Sequence, residues 1–197
     1  MSPSATPTTP AERRLEELAS AHGPRVLAYL TRRTDPPADA ADVLQEVLTT
    51  AWRKIHQAPD DPDHAIAWLL AIARRASANH RRAASRRHAA TQRLRAELTA
   101  YPPTTQPTDA DAARHDDVRT ALATLGDGDR ELLELTYWDG LTGEQVATVV
   151  GASPTATRKR IQRARDRLAA ALADERATPP VDQARSTTTH RAASVTT

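Results

Sequence analysis

The sequence has no cysteine and no phenylalanine, and aromatic residues make up only 3% of its 197 positions. Without cysteine there is no disulfide framework, thiol nucleophile or thiolate metal site, a usage that fits a reducing compartment. The few aromatic rings leave few stacking platforms for unpaired bases. No stretch approaches the roughly 18 consecutive apolar residues of a membrane-spanning helix, and the N-terminal MSPSATPTTP lacks the basic-then-apolar order of a signal peptide. A soluble, cytoplasmic protein is predicted. Its histidines, His80 and His88 among them, fall in no HExxH or His/Cys spacing, and its carboxylates have no partnered nucleophile. Neither a phosphate loop nor a dinucleotide fingerprint occurs. No catalytic residue, metal site or cofactor is expected, and the chain is not read as an enzyme.

What the sequence does have is segregated charge. The formal net charge is only +2, yet the pI is about 9.4. From His64 to Ala96 there is no acidic residue, while Arg74, Arg75, Arg81, Arg82, Arg86, Arg87, Arg93 and Arg95 accumulate. Such a helix suits either nucleic acid or a membrane surface. Alanine dominates its Arg-rich part and Leu94 is the only large apolar residue there, which favours nucleic acid.

A second basic segment lies in Leu141 to Arg167, which reads as a helix-turn-helix. Thr142 and Gln145 have capping-box spacing, Leu141 can staple against Val146, and Val146, Ala147 and Val150 make an apolar stripe. Gly151 supplies a left-handed helix end, after which Ser153 is a preferred N-cap and Pro154 suits the first helical position. On the second helix Thr157, Ile161, Ala164 and Leu168 fall on one side at about 100° per residue and face inward. Thr155, Lys159, Gln162 and Arg163 occupy the opposite arc, flanked by Arg158, Arg160 and Arg165. This is the layout of a recognition helix entering the major groove, with Arg and Lys suited to guanine edges and Gln to adenine.

The remaining pattern is helical throughout. Leu15, Leu18, Val26, Leu27 and Leu30 recur at helical spacing around Gly23-Pro24, which predicts two short helices or one broken helix. Asp39 to about His56 carries the stripe Val43, Leu44, Val47, Leu48, Trp52 and Ile55. After a loop at Gln57 to Pro62, Asp63 is a candidate cap for a helix holding Ile66, Trp68, Leu69, Leu70 and Ile72. Val118, Leu122 and Leu125, then Leu132, Leu133, Leu135 and Trp138, give two further stripes. The prediction is an all-α protein of two small helical domains joined by a flexible linker. The expected limits are a disordered N-terminus over 1–10, a first domain over 11–97, a Pro- and Thr-rich linker over 98–114, a helix-turn-helix domain over 115–173 and a flexible tail over 174–197.

Two units in this order carry a resemblance. ADVLQEVLTTAWRKI is similar to the region 2 helix of RNA polymerase sigma factors, and AWLLAIARRASANHRRA resembles the promoter-facing helix that follows it. LATLGDGDRELLELTYWDGLTGEQVATVVGASPTATRKRIQRARDRL resembles region 4 throughout. The chain thus looks like a sigma-70 family factor of the extracytoplasmic-function (ECF) type, over about two thirds of its length. The resemblance implies a protein that binds core RNA polymerase, places its units on the −35 and −10 promoter elements and assists promoter opening, with an anti-sigma factor as a candidate further partner.

Residue by residue, it implies that Asp42, Gln45 and Glu46 bind the polymerase, with Trp52 and Trp68 in the core. Arg74, Arg75, Asn79, Arg81 and Arg82 correspond to the part that meets the −10 element, and the Gln57 to His64 loop to a pocket for one extruded base. Arg158, Lys159, Arg160, Gln162 and Arg163 correspond to the −35 readers, with Thr142 available to the DNA backbone. The family's usual small-Thr-Val run after Ser-Pro is replaced by Thr155, Ala156 and Thr157, which leaves the base preference open. The alternative on the residues alone is a polymerase-independent helix-turn-helix regulator whose first unit is a sensor or dimerisation bundle.

Overall fold

The computed structural model describes residues 9–98 and 116–177, and every regular element among them is a helix. Helix α1 spans Pro10–Thr31, α2 Ala40–Arg53, α3 Pro62–Leu98, α4 Asp116–Thr124, α5 Asp127–Tyr137, α6 Gly143–Val150 and α7 Pro154–Ala177. Short 3₁₀ turns at Pro37–Asp39 and Ile55–Gln57 flank α2. Apart from Leu98, which ends α3, the expected linker lies outside the described residues. The expected tail does too beyond Ala177, the end of α7.

Helices α1, α2 and α3 form one unit. Leu18, Val26, Tyr29 and Leu30 of α1 share a core with Val43 and Val47 of α2 and Ile66, Leu69, Leu70 and Ile72 of α3. Each large aliphatic residue sealed in this way stabilises the fold by roughly 1.5–3 kcal/mol. That packing explains why α1 is a single helix with Pro24 inside it, not the two short helices or broken helix expected. An interior proline lacks the N–H for the preceding turn and costs about 3 kcal/mol. Leu18 before it and Val26, Tyr29 and Leu30 after it must all reach one core, and their burial offsets that cost. Helical order also starts earlier than expected. Thr9, the N-cap just before Pro10, forms a capping box with Glu12, so Thr9 and Pro10 of the segment read as disordered are already ordered.

The cap of α3 is Asp61 rather than Asp63. The Asp61 carboxylate accepts from the backbone N–H of His64 at 2.9 Å, with Pro62 at the first helical position. That bond, and a second with the His64 ring, hold the Asp61 carboxyl below its ordinary pKa. The loop before it is pinned by Arg14, whose guanidinium donates to the Pro59 carbonyl at 2.6 Å.

Helices α4 to α7 form the second unit. Leu122, Leu125, Leu133 and Ala164 make its own small core, with Leu168 packed against it. Leu132, Leu135, Leu141, Val146 and Val149 instead join the core of the first unit, and α6 lies along α3. The two units therefore share apolar surface.

Four residues of the expected apolar stripes face solvent. Leu27 is 37%, Trp52 40%, Val118 43% and Trp138 57% exposed, and on α1 the inward positions go to Val26, Tyr29 and Leu30. On α2 the inward slot belongs to Ala51, fully buried beside Trp52. On α4 it is taken by Ala121 and Leu122. At the end of α5 the chain turns through Gly140, at φ 63°, and Asp139 points inward in place of Trp138. Trp68 is half-buried against the core, as expected.

Candidate nucleic-acid interface

The helix-turn-helix forms through the local signals seen in the sequence. The Thr142 hydroxyl accepts from the Gln145 N–H at 3.3 Å and the Gln145 side chain accepts from the Thr142 N–H at 2.8 Å. Gly151 ends α6 at φ 69°, in the left-handed region where a Cβ is strained. Ser153 then caps α7, its hydroxyl accepting from the Ala156 N–H at 3.3 Å. Thr157 and Ala164 are fully buried and Ile161 and Leu168 half-buried, so this register turns Arg158, Lys159, Arg160, Gln162 and Arg163 to solvent. Thr142 is exposed at the start of α6.

Two glycines make room for the long basic stems. A Cβ on Gly143 would lie 3.4 Å from Arg158 Cγ, and one on Gly128 would lie 3.3 Å from Arg160 Nη2. These arginines thus lie against α6 and α5. Gln162 donates to Asp166 one turn on, at 2.9 Å, and Arg167 pairs with Asp129 of α5. The exposed face carries concentrated positive charge and planar amide and guanidinium groups, suited to phosphates and base edges.

The five candidate residues on α3 divide into two groups. Arg75, Asn79 and Arg82 are exposed, and Asn79 Oδ1 accepts from Arg82 Nη2 at 2.7 Å. Arg75 and Asn79 line a cavity of about 150 Å³ together with Glu46, Thr50 and Lys54 of α2. Arg74 and Arg81 instead line a cleft of about 400 Å³ between the two units. There Arg74 grips Glu131 of α5, with Nε 3.0 Å from both carboxylate oxygens and Nη2 2.9 Å from one. That hydrogen bonding raises the Arg74 pKa further, partly opposed by burial. Tyr29 donates its hydroxyl to the same carboxylate at 3.3 Å. Burial pushes the Tyr29 pKa far above its ordinary value, so it remains a neutral donor.

Asp42, Gln45 and Glu46 all stand exposed on α2, Asp42 just before the buried Val43 and the other two between Val43 and the buried Val47. Asp42 and Glu46 are one turn apart, so they present adjacent carboxylates.

Comparison with known proteins gives this geometry a context. Residues 18–87 match the family model of sigma-70 region 2, and residues 115–168 match that of sigma-70 region 4. The ECF RNA polymerase sigma factor SigK of Mycolicibacterium vanbaalenii is 31% identical over 144 residues, covering 70% of this chain and 71% of that protein. The RNA polymerase sigma factor CarQ of Myxococcus xanthus is 31% identical over 153 residues, covering 78% of this chain and 86% of that protein. The chain belongs to the ECF sigma factors. As a member of that family it directs RNA polymerase to promoters in transcription initiation. Among solved structures, the sigma factor CnrH in complex with the cytosolic domain of CnrY has a TM-score of 0.52 at 27% identity, covering 83% of this chain and 90% of that one. The fold is shared as well with the sigma factor RpoE bound to the anti-sigma factor NepR from Bartonella quintana, at TM-score 0.55 and 22% identity, covering 82% of this chain and 98% of that one.

Region 2 of this sigma factor thus holds Asp42, Gln45 and Glu46 together with the arginines of α3, and region 4 holds the helix-turn-helix. The sequence reading missed the residues that join them: Arg25, Arg32 and Arg33 on one side, Glu131, Glu134 and Asp139 on the other. No local periodicity connects positions roughly a hundred residues apart. No helix among the described residues is long and apolar enough to cross a membrane.

Proposed function

We propose that this sigma factor uses three separate surfaces: the acidic stripe of α2 for core polymerase, the α3 face for the −10 element and the α7 face for −35 duplex. The observation that carries this reading is the exposed α7 face, where five candidate readers turn outward on a helix-turn-helix whose caps and core are in place. Arg158, Lys159, Arg160, Gln162 and Arg163 read the duplex, and Thr142 touches backbone phosphate. Arg75, Asn79, Arg81 and Arg82, with Arg74 once free of Glu131, line the path of the melted strand, and the Gln57 to His64 loop takes one extruded base. Aromatic platforms are scarce, so backbone charge carries much of the single-strand affinity. The protein acts without covalent chemistry, in the cytoplasm where polymerase and DNA reside. An anti-sigma factor is a further partner, as the complexes of its structural neighbours suggest.

The decisive experiment for the polymerase surface is binding of the Asp42→Ala, Glu46→Ala double variant to core polymerase. Both side chains are exposed, so melting should not change. The affinity should fall by about tenfold or more, equivalent to about 1.4 kcal/mol. Unchanged affinity would place the polymerase contact elsewhere.

A further inference from the structure

The loop between α2 and α3 is held at both ends by local hydrogen bonds and in its middle by a residue of α1. At the α2 end the Ala58 N–H donates to the Ile55 carbonyl at 3.0 Å, and Ile55 and Ala58 pack against the core. At the α3 end the Asp61 carboxylate accepts from the His64 N–H at 2.9 Å, and the Asp61 carbonyl accepts from the Ala65 N–H at 2.9 Å. Between these ends lie Pro59 and Asp60. Pro59 has no N–H, so the stretch cannot close a backbone turn through it. Its hold comes from Arg14, 45 residues away in sequence, whose Nη2 donates to the Pro59 carbonyl at 2.6 Å and to the Asp60 carbonyl at 3.4 Å.

Arg14 reaches the loop because of the face it occupies on α1. It stands one turn before the buried Leu18 and beside the half-buried Leu15, so the packing that seats those leucines also sets Arg14 against the loop. Its side chain is about 30% exposed, and the exposed Glu17 braces the guanidinium with Oε2 3.4 Å from Nη1. A hydrogen bond from a guanidinium to a carbonyl is charge-assisted and stronger than one between neutral groups. In a trans peptide the C=O and the N–H point in opposite directions. Turning the Pro59 and Asp60 carbonyls toward Arg14 therefore turns the N–H groups of Asp60 and Asp61 away from it, and neither has a hydrogen-bond partner among the described residues. Two neighbouring backbone donors suit the acceptor atoms of an unpaired base.

We propose that Arg14 is a positioning residue for promoter selection: by holding the Pro59 and Asp60 carbonyls against α1 it fixes the loop in the shape that receives one extruded base, with the Asp60 and Asp61 N–H groups as the donors that read it. Arg14 itself touches no DNA. The proposal rests on the reading that the Gln57 to His64 loop takes that base. Without Arg14 the loop keeps both of its ends, but the two peptide units between them lose their fixed orientation. The donors are then no longer pre-organised, and a wrong base is accepted more readily at that one position.

The test uses the full chain bound to core polymerase and a promoter that depends on it, with every −10 and −35 position varied in turn and the yield of open complex read for each base. Arg14→Ala should weaken the preference for the favoured base at one −10 position by about tenfold, while the −35 preferences and the affinity for core polymerase stay as they were. Arg14→Lys keeps a charged donor on a similar stem and should recover part of the lost preference. Unchanged preference at every −10 position, or an equal loss across −10 and −35 positions, overturns the proposal. Pro59→Gly loosens the loop directly and separates the two readings. If it alters no −10 preference, the loop takes no base and the underlying reading fails together with the proposal. If it loosens one position and Arg14→Ala does not, the role of Arg14 alone is overturned; loosening of the same position by both variants is the expected result.

Discussion

Thr157 stands at an inward position of the recognition helix with no exposed surface, and its hydroxyl has no hydrogen-bond partner. A buried hydroxyl left unpaired costs about 1–3 kcal/mol, whereas an apolar group of the same shape does not. Thr157→Val should therefore stabilise the protein by about 1 kcal/mol, seen as a higher midpoint in thermal unfolding; a lower midpoint would mean the hydroxyl is paired. His22 offers a second check at this scale. Burial lowers its pKa below 6.5, helped by Arg25 and Arg14 and opposed by Asp63. Because the unfolded chain then binds the proton more readily, His22 penalises folding only as pH falls below about 6.5. His22→Gln should flatten the decline in stability over that range, and an unchanged pH profile would contradict it. Residue-scale features of this kind were partly legible in the sequence. The caps at Thr142 and Ser153 and the left-handed Gly151 were, because each depends on a few adjacent residues. Trp52, Val118 and Trp138 were not, because each borders an apolar stripe and its burial depends on what the neighbouring helix already supplies.

At the scale of the element, α7 carries a sequence pattern directly into the structure, and the function proposed for its outer face can be tested there. The inward set Thr157, Ile161, Ala164 and Leu168 follows helical spacing, so the outward set follows too, and the structure places both as the periodicity requires. Cations on such a face bind DNA largely by releasing counterions. Replacing Lys159 or Arg163 with Ala should lower the slope of log affinity against log salt by about one for each phosphate left without its cation. The measurement is binding to −35 duplex over a salt series, and an unaltered slope in both variants would show that neither side chain neutralises a phosphate. Helix α1 shows where element-level reading fails. Gly23-Pro24 is a strong local break signal, yet the demand that Leu18 and Leu30 meet one core overrides it. The capping box at Thr9 and Glu12 is present in the sequence, but the surrounding Pro, Ser and Thr composition points to disorder and outweighs it.

At the scale of the whole molecule, the two units were readable separately because each carries its own periodic stripes and caps. Their mutual packing was not. It depends on Glu131, Glu134 and Asp139 meeting Arg25, Arg32, Arg33 and Arg74, and charged residues on helices read as solvated faces until the partner helix is placed. The account's central claim is that this chain gives core polymerase its promoter choice. Reconstituted transcription tests it most directly: core polymerase and a library of genomic promoter fragments, with and without the protein, followed by mapping of start sites. A defined set of starts that appears only with the protein, and disappears when Lys159 and Arg163 are both replaced by Ala, is the predicted result. A start-site map identical with and without the protein would contradict it.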